Sequence, residues 1–81
     1  MTESTQSIIV PAQIRAARGL VGWSQQDLAK KTGISRRSIM AIETSSAAAR
    51  ASTLKCIEQV FDEAGVEFLN EGSRIGVLLQ Q

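Results

Sequence analysis

The 81-residue sequence has no histidine and no tyrosine, and it has one cysteine, one proline, one tryptophan and two phenylalanines. Without histidine it lacks the side chain most used for proton transfer near neutral pH and the commonest metal ligand. A single thiol, Cys56, allows no internal disulfide, no Cys–His pair and no thiolate cluster for zinc. No Gly-rich phosphate loop is present, and Asp62 and Glu63 are neighbours whose side chains diverge on a helix. No apolar run is long enough to cross a bilayer, and no basic-then-apolar signal segment stands out. These absences argue against an enzyme, a metal or cofactor protein and a membrane protein. A soluble protein in a reducing, cytoplasmic setting is expected.

Charge of either sign is scarce in sum, with a net of +1, but it is unevenly placed. Residues 11–50 carry Arg15, Arg18, Lys30, Lys31, Arg36, Arg37 and Arg50 against Asp27 and Glu43, a net of +5. Residues 51–81 carry Lys55 and Arg74 against Glu58, Asp62, Glu63, Glu67 and Glu71, a net of −3. A basic half suits a polyanion, and an acidic half suits solubility or a protein partner. The length fits one domain with a small core, for which a partner subunit is worth considering.

Along the chain, residues 1–9 read as a flexible tail. Pro11 fits the first position of a helix, and Ile14, Ala17 and Val21 recur at helical spacing, so a helix is expected over 11–21, ended by Gly22. Ser24 with Asp27 three residues on has the capping-box pattern, opening a second helix over 25–32 that Gly33 terminates. Trp23 is expected to pack in the core or as a wedge between these two helices, with stacking on bases the lesser alternative, and Ile34 to plug the turn. Ser35 caps a third helix over 36–43, with Ile39 and Ile42 facing inward. A loop is expected over 44–51, with a helical turn at 47–50 as an option. Ser52 is expected to cap a fourth helix bearing Leu54, Ile57, Phe61 and Ala64, stopped by Gly65; Cys56 beside that stripe suits packing or a subunit contact. The period then changes to alternation, giving a β-hairpin with strands near 66–69 and 75–79 around Asn70-Glu71-Gly72-Ser73. A lone two-stranded hairpin is marginal in water, so it must pack on helix 4, pair with a second copy, or both.

The densest signal is Ser24–Glu43: two short helices about a tight turn at Gly33, the second opened by a capping serine and two arginines. A helix built this way suits entry into the major groove of DNA, where an arginine donates two hydrogen bonds to one guanine. Ser-Gln-x-x-Leu-Ala, Gly-Ile-Ser and Ser-Ile-x-x-Ile-Glu stand here at the spacing of the lambda-repressor-like (Cro-type, xenobiotic-response-element) helix-turn-helix family. Residues 11–64 resemble that family. Less closely, Ala64–Phe68 and Ile75–Val77 resemble the hairpin ending of many of its small members. The resemblance implies a mainly α fold: a four-helix domain over 10–65 and a short C-terminal β-hairpin over 66–81, a candidate dimerisation element.

It also implies roles for particular residues. Gln25 matches a position that contacts the DNA backbone, while Ser35, Arg36 and Arg37 match the leading residues of the recognition helix. Ser38 matches a phosphate-contact position and Ala41 a base-reading one, where a methyl is left to meet a thymine methyl. Arg18 and Glu43 match a pair that ties helix 1 to the end of helix 3. Which of Arg36 and Arg37 reads bases stays open. Lys30 and Lys31, at the end of helix 2, are expected to be solvated and to complement the helix dipole. Two features depart from the family: Thr44-Ser45-Ser46 stands where a glycine is frequent, and the following loop has no charge until Arg50. The function implied is a sequence-specific regulator of double-stranded DNA, a bacterial or phage-like repressor, acting as a homodimer on an inverted repeat. The alternative is a protein-interaction module, an antitoxin or adaptor, whose acidic helix 4 and hairpin bind a partner protein.

Overall fold

The computed structural model describes residues 9–45 and 49–81. Four helices are followed by a hairpin: α1 (Pro11–Val21), α2 (Gln25–Thr32), α3 (Arg36–Thr44), α4 (Ala51–Glu63), β1 (Val66–Glu71) and β2 (Arg74–Leu79). The expected tail over 1–9 lies outside the described residues except for Ile9, whose side chain is in the core. The option of a helical turn at 47–50 rests partly on residues 46–48, which also lie outside.

One local device recurs at the helix starts. Each helix has an apolar residue just before its cap and another at its fourth position: Ile9 and Ile14, Trp23 and Leu28, Ile34 and Ile39, Ala49 and Leu54. All eight are buried in the core or packed against it. Such staple positions fix the angle at which the chain enters each helix. Caps and stops complete the boundaries. The Ser24 hydroxyl accepts from the Asp27 N–H at 3.0 Å, and the Asp27 carboxylate accepts from the Ser24 N–H at 3.0 Å. Hydrogen bonding to the carboxylate, first from the Ser24 N–H and then from the Ser24 side chain, holds the Asp27 carboxyl below the usual carboxylate range. Gly33, at φ +79°, turns the chain into the left-handed conformation that ends α2.

Three boundaries differ from the expectation. Helix α3 includes Thr44, whose hydroxyl donates to the Met40 carbonyl at 2.8 Å. Ser52 does not cap α4: the first helical bond runs from the Leu54 N–H to the Arg50 carbonyl, which makes Arg50 the cap residue and puts Ser52 inside the first turn. The strands are longer than expected, because Gly72, at φ +58°, closes the hairpin with Ser73 alone and leaves Asn70–Ile75 and Glu71–Arg74 paired.

The core is Ile9, Ile14, Ala17, Leu28, Ala29, Ile39, Ile42, Ile57, Phe61 and Val66. Phe61 is its centre: Trp23 stacks on it at 5.1 Å, and Phe68 meets it edge-on at 5.8 Å. Trp23 therefore packs on the core, as one of its two expected placements has it, with its ring on Phe61 of α4, and the Lys31 ammonium lies 4.8 Å over that ring. The hairpin joins this core through Val66, Phe68, Val77 and Leu79. It is fastened by a residue the sequence did not mark. Gln13, buried on α1, accepts from the Val10 N–H at 3.0 Å and donates to the carbonyls of Leu69 at 3.1 Å and Gly76 at 3.0 Å.

Candidate nucleic-acid interface

Helix α3 divides cleanly. Ile39, Ile42 and Glu43 are buried, whereas Arg36, Arg37, Ser38, Met40, Ala41 and Thr44 are exposed. At 100° per residue, Arg37, Met40, Ala41 and Thr44 form one solvent-facing stripe opposite the buried set. Arg36 and Ser38 flank it. The stripe thus contains Met40 and Thr44, which the sequence reading did not single out. Their signal was the spacing itself, three, four and seven residues from Arg37. Met40 is 45 % exposed.

Ser35 holds the start of this helix. Its hydroxyl oxygen accepts from the Ser38 N–H at 3.1 Å, and the hydroxyl donates to the Ser38 hydroxyl at 3.0 Å. Ser38 is therefore fixed at the helix mouth, with its hydroxyl at the surface. Arg36 comes close to the start of α2: with Arg18, Ser24, Gln25 and Gln26 it lines one shallow recess. The recess sets the Arg36 guanidinium beside the first turn of α2, where the capping box takes the Ser24 and Asp27 N–H groups and those of Gln25 and Gln26 have no intrahelical partner, a setting that suits an anion. Arg37, on the stripe, is not part of it.

The two elements are locked together from below by Glu43, which is 3 % exposed. Arg18 grips its carboxylate with both arms of the guanidinium: Nε donates to Oε2 at 2.6 Å and Nη2 to Oε1 at 2.8 Å. The Gln25 amide donates to Oε1 at 3.1 Å. Arg18 also donates to the Trp23 carbonyl at 3.1 Å, and Arg15 donates to the Glu43 backbone carbonyl. Bonding to Glu43 raises the pKa of Arg18 above its already high ordinary value, against the opposing effect of burial. One carboxylate thus joins α1, the first residue of α2 and the last turn of α3. Arg15 was not anticipated in this cluster; it stands one turn before Arg18 on α1. Gln25 is half-buried, with its amide turned inward to Glu43.

The remaining features lie elsewhere. Cys56 is half-buried on α4, its thiol 3.7 Å from the Thr32 carbonyl. A groove between α4 and β1 is lined by Lys55, Glu58, Gln59, Asp62, Val66, Glu67 and Phe68. Among the described residues no helix is long and apolar enough to cross a membrane.

No curated protein sequence matches the chain significantly. A family model described as helix-turn-helix (HTH_3) matches residues 14–68, which take in all but the first turn of α1, the α2–turn–α3 unit, α4 and the start of β1. With that match covering more than half of its length, the chain belongs to the XRE/lambda-repressor-like helix-turn-helix family of DNA-binding domains.

Proposed function

We propose that this protein is a sequence-specific transcriptional regulator, a repressor of bacterial or phage type acting in the cytoplasm. It would place α3 in the major groove and work as a homodimer on an inverted repeat whose half-sites lie about 34 Å apart. The observation that carries this reading is the exposed stripe of α3 beside the anion-favouring recess at the start of α2. The two divide the labour of the arginines. Arg36, which lines the recess with Gln25 and Gln26, holds a phosphate, and Ser38 adds a hydroxyl at the mouth of the helix. Arg37 reads a guanine from the stripe, while Met40 and Ala41 supply apolar contact for a thymine methyl. Ser35 sets the start of the helix, and Glu43, held by Arg18 of α1 and Gln25 of α2, sets its angle to both.

Selection of bound duplexes from a random pool tests this division. Wild type should enrich a palindrome. Arg37→Ala should lose preference at one guanine per half-site, worth about 1–3 kcal/mol. Arg36→Ala should weaken every sequence alike and lower the salt slope by about one. Failure of wild type to enrich any motif, with binding that only fades as salt rises, would remove the reading.

One observation favours the second reading, a protein-interaction module such as an antitoxin or adaptor. The groove between α4 and β1 sets Glu58, Asp62 and Glu67 around an apolar floor of Val66 and Phe68. A basic segment of a partner protein suits it, and that surface becomes the place to look if DNA selection fails.

A further inference from the structure

The hairpin has two edges, and they differ. Strand β1 carries Glu67, Asn70 and Glu71, the charged and polar residues that discourage strand pairing. Strand β2 has no charge from Ile75 to Leu79, and β1 is its only strand partner among the described residues. Ile75 and Leu78 are 52 % and 51 % exposed on it.

The ladder shows which groups the β2 edge offers. The Gln80 N–H bonds the Gly65 carbonyl at 2.8 Å. Alternation along an antiparallel pair then makes 67/78, 69/76 and 71/74 the bonded pairs. The backbone groups of Ile75, Val77 and Leu79 therefore point away from β1. The Gly76 carbonyl points into the ladder, so the bond from Gln13 leaves this edge clear.

We infer that β2 pairs antiparallel with β2 of a second copy about a two-fold axis at Val77, joining the two hairpins into one four-stranded sheet. In that register Val77 faces the second copy's Val77, and Ile75 faces its Leu79. These are the residues whose N–H and C=O groups are outward, giving on the order of six intermolecular hydrogen bonds. On the opposite face Leu78 lands on the second copy's Gly76. A Cβ at Gly76 would meet nothing within 4 Å, so the missing side chain leaves a notch beside half-buried Leu69. Half-exposed Leu78, two residues further on, is the knob that fills it. A strand that offers a notch and a knob two positions apart is complementary to itself about the residue between them. Charge agrees: Arg74 faces neutral Gln80, and no like charges meet, whereas pairing through β1 would bring its acidic residues together. The use of this dimer on an inverted repeat rests on the DNA-binding reading, but the association itself is read without DNA.

Sedimentation equilibrium of the full chain, free of DNA, should show a monomer–dimer equilibrium in the micromolar range. Leu78→Lys and Gly76→Val should each weaken it by about tenfold or more. Both positions have space in the monomer, and a thermal melt in the dilute, monomeric range confirms that each variant is folded. Register has its own readout. In a Cys56→Ser background, Val77→Cys should cross-link to itself, since a hydrogen-bonded pair sits about 5.5 Å apart, within disulfide reach. Ile75→Cys alone should not. A monomer at every concentration overturns the inference. So does a dimer indifferent to both substitutions, or one that forms only after residues 1–8 are removed, which would mean that the chain covers its own edge. A wild-type dimer that selects no DNA sequence sinks the DNA reading alone; a monomer that selects one sinks the pairing alone.

Discussion

Arg18 and Glu43 should prove far more costly to break than to replace. Arg18→Met strands a carboxylate that is 3 % exposed and keeps only the Gln25 amide as a side-chain donor. An uncompensated charge in that setting costs about 3–5 kcal/mol. A domain of this length has a total stability of about 4–12 kcal/mol, so the variant should be close to unfolding at the low end. Glu43→Leu leaves Arg18 behind, but that side chain is 20 % exposed and keeps the Trp23 carbonyl. The guanidinium can turn to water, and the cost should fall to about 1–3 kcal/mol. The double variant, Arg18→Met with Glu43→Leu, buries no charge and fills the space with apolar atoms, so it should return to within about 1–2 kcal/mol of wild type. Urea titrations followed by far-ultraviolet circular dichroism give the three differences, with a constant m-value checking that the unfolded states are comparable. Additive single effects, with the double variant the least stable of all, would refute the claim that burial of an unpaired charge sets the cost.

The other predictions are more local. Gly33→Ala meets open space but must hold φ +79°, so it should destabilise by about 1–2 kcal/mol in the same urea assay; a neutral result would remove the left-handed requirement from the turn. Gln13→Leu should leave the helices folded while the hairpin amides exchange faster with deuterium, because α1 then loses its hydrogen bonds to Leu69 and Gly76; uniform protection would show the apolar contacts to be sufficient. The lowered pKa of Asp27 predicts that its advantage over Asp27→Asn is fully present above the ordinary carboxylate value near 3.9 and is lost as pH falls through the lower folded value; a gap unchanged into strong acid would contradict that sign. Phe61→Ala should cost about 3–5 kcal/mol and also release Trp23, seen as a shift in tryptophan emission.

What the sequence showed of this fold follows from how local each signal is. The first two helices were legible to the residue because proline and glycine mark their ends by backbone geometry and serine by a local capping bond. The start of α4 was not, since Arg50 offers no side-chain cap bond and Ser52, one residue too far in, looks the better cap. The hairpin was legible as alternation, but its two-residue loop depends on the conformation of Gly72, for which the Asn70–Ser73 stretch offered several solutions. Trp23 and Gln13 were the least readable. The partner of Trp23 is Phe61, on a helix that has no sequence relation to it. Gln13 lies on the buried side of α1 as a polar residue, and only the hairpin carbonyls, more than fifty residues away, explain why it is there. On the exposed side of α3 the arginines were visible from their place after a cap, whereas Met40 and Thr44 needed the buried face to be fixed first.

Glu43 also raises the question of why a small domain should bury an ion pair that apolar side chains could replace without loss. Stability is a weak answer, because desolvation offsets most of the attraction. Direction is a better one. A leucine in place of Glu43 would fill the same space but accept no hydrogen bond, leaving Gln25 free to rotate and Arg18 held by the Trp23 carbonyl alone. The carboxylate has directional acceptors, and they are taken by a donor from α1 and a donor from the first residue of α2, while the backbone of the same residue takes Arg15. Those contacts fix the start of α2 against α3, and with it the placement of Arg36 relative to the recess it lines. The Arg18→Met, Glu43→Leu double variant carries the test. If it is as stable as wild type, yet binds selected DNA less tightly while binding random DNA equally well, the two contributions separate: apolar packing is enough to hold the helices together, and the ion pair is needed to aim them. Selected DNA bound as tightly as by wild type would leave the ion pair with no aiming role.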